Sequence, residues 1–491
     1  MGARVAGLAA AAAALGAGLA SSSPAGVLAG RPAGIGGVGI TGLQVQNLDP
    51  SEPASIVAEF YPQDCGLPTT ISLPATAGGA AASIYLPSLA ELRHGTYAAL
   101  ISADREIAAL ARTDWNSTGG AAIYSHAQIG HDLAVPLVML GYYGQTSLVT
   151  VHNTDVTAPA QVHAEVYALG SATPALTTRF EVCAGTSRTI RLGMDPLFLT
   201  LPRGFVGSMR LTSASPISGQ VFVDIETSQK AIYAFEAVPV EAAAETLYAP
   251  LFRARQRGGG LVLDTGIAVA NPGDAPVDVT VAYHGASPAC AGQVVSHGPV
   301  TVAGHGAAVF YQGPGGGSGL PDGCIGSAVV SATGGGVIGV VNDSVDFTRQ
   351  SGAYNLLSAA QAGKKIALPL FRRAHVGLTT GIQVMNVGAG MANVTIAFAK
   401  NDGTAITGCA AQCTATIAAE ASVTWWPADI GAIPDGTFGS AVVESDQPIV
   451  AIVNDFALKG GIDSAIYNGI RVDAGPSEFR PMLSVPFIFN P

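Results

Sequence analysis

Apolar and polar side chains alternate along this chain in short runs, and each run is broken by Gly, Pro, Asn or Asp. Alternation with a period of two marks half-buried strands rather than amphipathic helices. Between residues 133 and 240 the runs read LAVPLVML, SLVTVHN, AQVHAEVYAL, TTRFEV, SRTIRL, GSMRLTS, ISGQVFVDI and KAIYAFEAV, rich in Val, Ile, Thr and aromatics. They predict seven or eight short strands, with short helical turns at most near Pro196–Leu201 and Pro427–Ile430.

The pattern then repeats. A proline-led apolar strand recurs as VPLVML at Pro136, APLFRA at Pro250 and LPLFRR at Pro369. A second strand ends in asparagine at Asn47, Asn153, Asn271 and Asn386, spaced 106, 118 and 115 residues apart. A turn follows, LPRGFVGS at Gly204, LPDGCIGS at Gly323 and IPDGTFGS at Gly436, with LRHGTYAA at Gly95 as a worn relative. Each copy closes with Asp114, Asp224, Asp343 or Asp455, and with Tyr124, Tyr233, Tyr354 or Tyr467 after it. The expected fold class is therefore all-β: four tandem immunoglobulin-like β-sandwich domains with an extra C-terminal strand. The boundaries fall at 30–130, 131–245, 246–362 and 363–475, after a leader at 1–29 and before a linker and strand at 476–491.

The recurrent residues have structural roles to expect. A strand-ending asparagine makes an Asx turn, the glycines of the turn admit positive φ, and the tyrosine packs on the core with its hydroxyl at the rim. The aspartates, with Asn342 and Asn454, lack the dense acidic loop that calcium needs.

Only 12% of the 491 residues are charged and the net charge is −11, with no basic run, which argues against a nucleic-acid partner. The opening MGARVAGLAAAAAALGAGLA, followed by small-residue cleavage sites, reads as a secretory signal, with a single-span anchor as its rival; its Ala- and Gly-rich, weakly hydrophobic run favours export and places the protein outside the cell or on its surface. Six cysteines suit that compartment. Cys409 and Cys413 can pair across a tight hairpin, and Cys290 and Cys324 within the third repeat. Cys65 and Cys183 would need a contact between repeats, and free buried thiols remain the alternative. No zinc, haem or phosphate-loop motif and no Gly-x-Ser-x-Gly elbow occurs, so neither enzyme activity nor a cofactor is expected. Trp115, Trp425 and Trp426 are the candidates for stacking on a carbohydrate; Trp425 and Trp426, being adjacent, point to opposite faces of a strand.

The two ends carry complementary defects. The first copy should open near residues 30–37, but GRPAGIGG offers only Pro32 and Ile35 there. The last residues, MLSVPFIFNP, look like an opening strand with no domain to enter, behind a linker at Val472–Pro481. The economical expectation is donation of Val485, Pro486, Phe487, Ile488 and Phe489 into the first domain of the next subunit, onto a core including Ile40, Leu43 and Val45. That contact runs head to tail and builds an open homopolymer. The alternative is a tail folded back on its own fourth domain.

As a whole, residues 36–475 resemble bacterial secreted or cell-surface proteins built from tandem immunoglobulin-like sandwiches, and the tail is similar to the donor strands of pilus subunits and matrix fibres. The resemblance implies an extracellular structural protein that forms a filament or surface layer. Its rival is a monomeric adhesin or carbohydrate-binding module, with glycans or other surface components as partners.

Overall fold

The computed structural model describes residues 39–115, 120–225, 233–258, 261–345, 350–457, 464–472 and 482–490. The leader, Pro32, Ile35, Asn116 and most of the C-terminal linker lie outside them. The chain is all-β, and the helices among the described residues are single 3-10 turns, two of them at Pro196–Phe198 and Pro427–Asp429. None of these is long and apolar enough to cross a membrane.

Each repeat uses the same strands. In the first, one sheet runs Ala81–Tyr85, Gly39–Asn47, Ile107–Trp115 and Gly120–Ser125, and the other Thr69–Ser72, Ile56–Pro62, Gly95–Ala103 and Met482–Asn490. Their inner faces share one core that includes Leu43, Phe60, Tyr97, Ala109 and Phe487. The third repeat likewise forms two sheets, whereas the second and fourth join theirs into one. The reason is a single continuous strand: GSMRLTS and ISGQVFVDI, expected as two strands, belong to one strand of 21 residues, Phe205–Ile225, as do the matching runs in Thr437–Ala457. The register shifts near Pro216, where the long strand changes partner strands.

The recurrent residues explain why the copies fold alike. Asn271 Nδ2 donates to the carbonyls of Ala275, Val302 and Ala303, and its Oδ1 accepts from Gly273 N–H, so one side chain closes an Asx turn and ties it to the next strand. Asn47, Asn153 and Asn386 make equivalent sets. In the turn, Gly204, Gly323 and Gly436 sit at φ 82–86°. The later glycine, Gly207, Gly326 or Gly439, leaves no room for a Cβ, which would lie 1.8–2.0 Å from a carbonyl oxygen across the sheet.

The repeats close on one another in a ring. Phe222 and Ala234 of the second repeat enter the core of the first, and Val340 and Ala353 of the third enter that of the second. Met385 and Ile466 of the fourth enter the third, and Leu110 and Ile123 of the first enter the fourth. The serines after the turns follow the same cycle: Ser208 donates to His305 O, Ser327 to Glu420 O and Ser440 to Gly79 O. At the seam between the fourth and first repeats, Arg112 bridges Asp114 and Asp455, and Arg372 shares Asp455. Burial lowers the pKa of Arg372, and the carboxylate of Asp455 partly restores it.

Because the ring closes, the first and fourth repeats meet. The tail therefore pairs with Gly95–Ala103 of its own first repeat, and not with the fourth repeat.

Candidate functional site

The site is the slot that the tail fills, and it is best understood against the opening strands of the other repeats. Those strands are Ile129–Tyr142, Thr246–Ala254 and Gly363–Arg373, and each pairs antiparallel with the strand after the glycine turn. All three skip register at the proline and the residue after it. A bulge there suits proline, which has no N–H to give to the ladder. The tail skips register at the same place, between Val485 and Ile488.

Two further bonds recur. The residue three after the proline donates its N–H to a hydroxyl six positions before the asparagine: Met139 to Ser147, Arg253 to Thr265, Arg372 to Thr380 and, in the tail, Phe489 to Thr41. The closing tyrosine donates to the carbonyl after the proline: Tyr354 to Leu251, Tyr467 to Leu370 and, at 2.6 Å, Tyr124 to Phe487. In the second repeat Tyr233 donates to Gln145 Oε1 instead. These hydroxyls are buried beneath the bulge and not at the rim as expected, and burial raises the pKa of each phenol, which keeps it a neutral donor.

Val485, Phe487 and Ile488 are buried in the core of the first repeat beside Leu43 and Val45. Pro486 is buried in the bulge, and Phe489 packs at the margin of that core. Ile40 is half-buried and out of phase with Leu43 and Val45, so period-two alternation turns it to the other face of its strand, that of Gln44. On that face Gln44 donates to Asn401 Oδ1 of the fourth repeat.

The tail also crosses into the second repeat, which sequence reasoning missed. Phe487 packs on Phe222 at 4.8 Å between ring centroids. Ser484, fully buried, lies 2.7 Å from His152 Nδ1 and 2.6 Å from Ser218 Oγ, while His152 Nε2 lies 3.0 Å from Gly185 O. Burial pushes His152 down to about 4, with the Gly185 bond opposing. Ser484 O accepts from Ala127 N–H, and Asn490 Nδ2 donates to the carbonyls of Leu92 and Arg93. A spacing comparison of the four copies contained one legible signal, the hydroxyl six residues before each asparagine. The His152–Ser484 contact is peculiar to one seam and left none.

The cysteines form three disulfides: Cys290–Cys324 in the third repeat, Cys409–Cys413 in the fourth, and Cys65–Cys183 joining the first to the second. Trp115 is buried against Phe222 in the first core, and Trp425 is buried and donates to Gln412 O. Trp426 is 39% exposed and lies over Gly381, where a Cβ would come within 2.8 Å of its ring. Among the described residues no cluster of His, Cys, Asp or Glu is arranged to hold a metal ion.

No protein-family model matches the chain, and no curated protein does. Among solved structures it is similar to the Anabaena sensory rhodopsin transducer, at 20% identity and TM-score 0.16 over 18% of this chain and 90% of that one. A second likeness is to Thermotoga maritima 1070, at 19% identity and TM-score 0.20 over 23% and 96%. A third is to a tetra-tandem repeat in the extending region of a large adhesion protein, at 15% identity and TM-score 0.12 over 88% and 95%. At TM-scores of 0.20 and below, none of these likenesses carries an argument about this chain.

Proposed function

We propose that this is an exported, non-enzymatic structural protein whose four repeats are immunoglobulin-like sandwiches, and that it acts as a monomeric surface module, an adhesin or glycan binder, closed by its own C-terminal strand. The observation that carries this reading is the equivalence of the tail to the other three opening strands in bulge and hydroxyl contact, and to those of the third and fourth repeats in tyrosine contact. A slot filled within the chain has no vacancy to offer a neighbour. The recurrent Asn, Asp and Tyr side chains are committed to turns, ion pairs and bulges, which supports a scaffold over a catalyst. Trp426, Tyr142 and Tyr143 are the exposed aromatics among the described residues with which such a module would meet a sugar ring.

Head-to-tail polymerisation is the second reading, favoured by the same strand because a segment that fits its own slot fits that of an identical molecule. Size exclusion with light scattering and negative-stain microscopy separate the two, on residues 30–491 beside a version lacking residues 479–491. The proposed module is a monodisperse monomer that aggregates or opens when truncated. Filaments that vanish on truncation would establish the polymer instead, and two indistinguishable monomers would remove the closing role altogether.

A further inference from the structure

We propose that the closing strand is an acid-releasable latch, freed by protonation of His152 and then exchangeable with the same strand of a second copy. The proposal rests on the reading of Met482–Asn490 as the closing strand.

The geometry is specific to this seam. His152 is on the second repeat, fully buried, and held at both ring nitrogens. Its Nε2 can only donate to the Gly185 carbonyl, so in the neutral ring Nδ1 accepts from the Ser484 hydroxyl, which in turn accepts from Ser218. A proton added at Nδ1 forces the hydroxyl chain to reverse and leaves a buried cation facing three serines. The flanking strands present Ser187 and Ser218 to His152, and the tail strand itself carries no charged residue.

The charged and titratable groups of the packed elements are engaged elsewhere. Arg188 pairs with Asp195, Arg191 with Asp224, Glu236 accepts from Ser125, and Tyr61, packed on Gly185 from the first repeat, interacts with Glu59. His126 neighbours Ala127, whose N–H bonds Ser484 O. An unpaired buried charge is costly, and lifting the tail returns the ring to water. Closure is therefore favoured with the imidazole neutral and loses that advantage as pH falls from about 6.5 toward about 4. Over that window the open fraction rises, roughly 80-fold by pH 4.5. An open chain exposes a vacant slot and a free strand together, which is what exchange between two copies needs.

The test uses the full chain and a fluorescent peptide of residues 479–491. Protein and peptide are incubated at pH 8 or pH 4.5, returned to pH 8, and the trapped peptide is measured over time. Uptake at pH 4.5 should be one to two orders of magnitude faster, rising below pH 6.5 and levelling off near pH 4. His152→Gln, which holds no titrating proton there, should abolish the acceleration, whereas Glu236→Gln and His126→Gln should keep it. Uptake at equal rates at the two pH values overturns the latch, as does an acceleration that survives His152→Gln. If His152→Gln fails to fold, NMR titration of the His152 imidazole in the wild-type protein decides, because uptake that accelerates without tracking that protonation overturns the latch. Loss of the closing role itself would show separately, as no change on deleting residues 479–491.

Discussion

At the scale of single residues, stability rests on polar side chains whose hydrogen bonds are complete. Asn271, itself buried, serves four backbone groups at once, so Asn271→Ala leaves three carbonyls and an amide without that partner at the base of an exposed turn, the Val302 carbonyl in a buried position. We expect a loss of about 2–3 kcal/mol in urea unfolding, since buried groups left unpaired cost ~1–3 kcal/mol each and some of these reach water. Glu236 tests a different term. Burial pushes it up to about 7 from 4.5, with the Ser125 bond opposing. A raised carboxyl pKa contributes stability that is present below about 4.5 and lost as pH rises through about 7. Glu236→Gln, which can still accept from Ser125, should therefore raise the urea midpoint at pH 8 and leave it unchanged at pH 4. His152 has the opposite sign over an overlapping window.

At the scale of elements, the closing strand is worth most through its apolar side chains. Phe487 is buried against Phe222 and carries the carbonyl that Tyr124 binds. Phe487→Ala should weaken strand docking by about 3–5 kcal/mol, the usual cost of emptying a buried phenylalanine site. Hydrogen exchange should then quicken in Gly95–Ala103 while the third repeat keeps its protection. Strands of this kind were legible in the sequence because alternation, proline and asparagine are local signals: Val485, Phe487 and Ile488 could be picked out by hydropathy alone. Two things were not. Whether GSMRLTS and ISGQVFVDI form one strand or two depends on how a bend at Pro216 is accommodated between sheets, and the run of residues is the same either way. The phase of Ile40 against Leu43 and Val45 required counting along the strand, and apolar character alone grouped it wrongly with them.

At the scale of the whole molecule, the contacts that close the ring are non-local, and the sequence could show the vacancy and the spare strand without showing that they meet in one chain. The first and second repeats are joined covalently as well as by packing. Cys65 and Cys183 lie 118 residues apart, and removing their bond by paired Cys→Ser substitution should cost about 2–4 kcal/mol and loosen that seam first. Differential scanning calorimetry of the oxidised and double-serine proteins would show the shift, and an unchanged transition would mean that burial of Phe222 and Phe487 holds the seam without it. The cyclic insertion of each repeat into the core of its neighbour carries a consequence for heredity. In an open array of stacked repeats the end units need polar caps, and inner units can be duplicated or lost with little penalty. Here no repeat is an end, and each depends on a neighbour at a fixed angle. A gene duplication that added a fifth unit, or a deletion that left three, would part the first and last repeats and expose Leu110, Ile123 and the slot beside Leu43. The count of four is thus set by closure of the ring, and a chain with one repeat more or fewer should lose that closure.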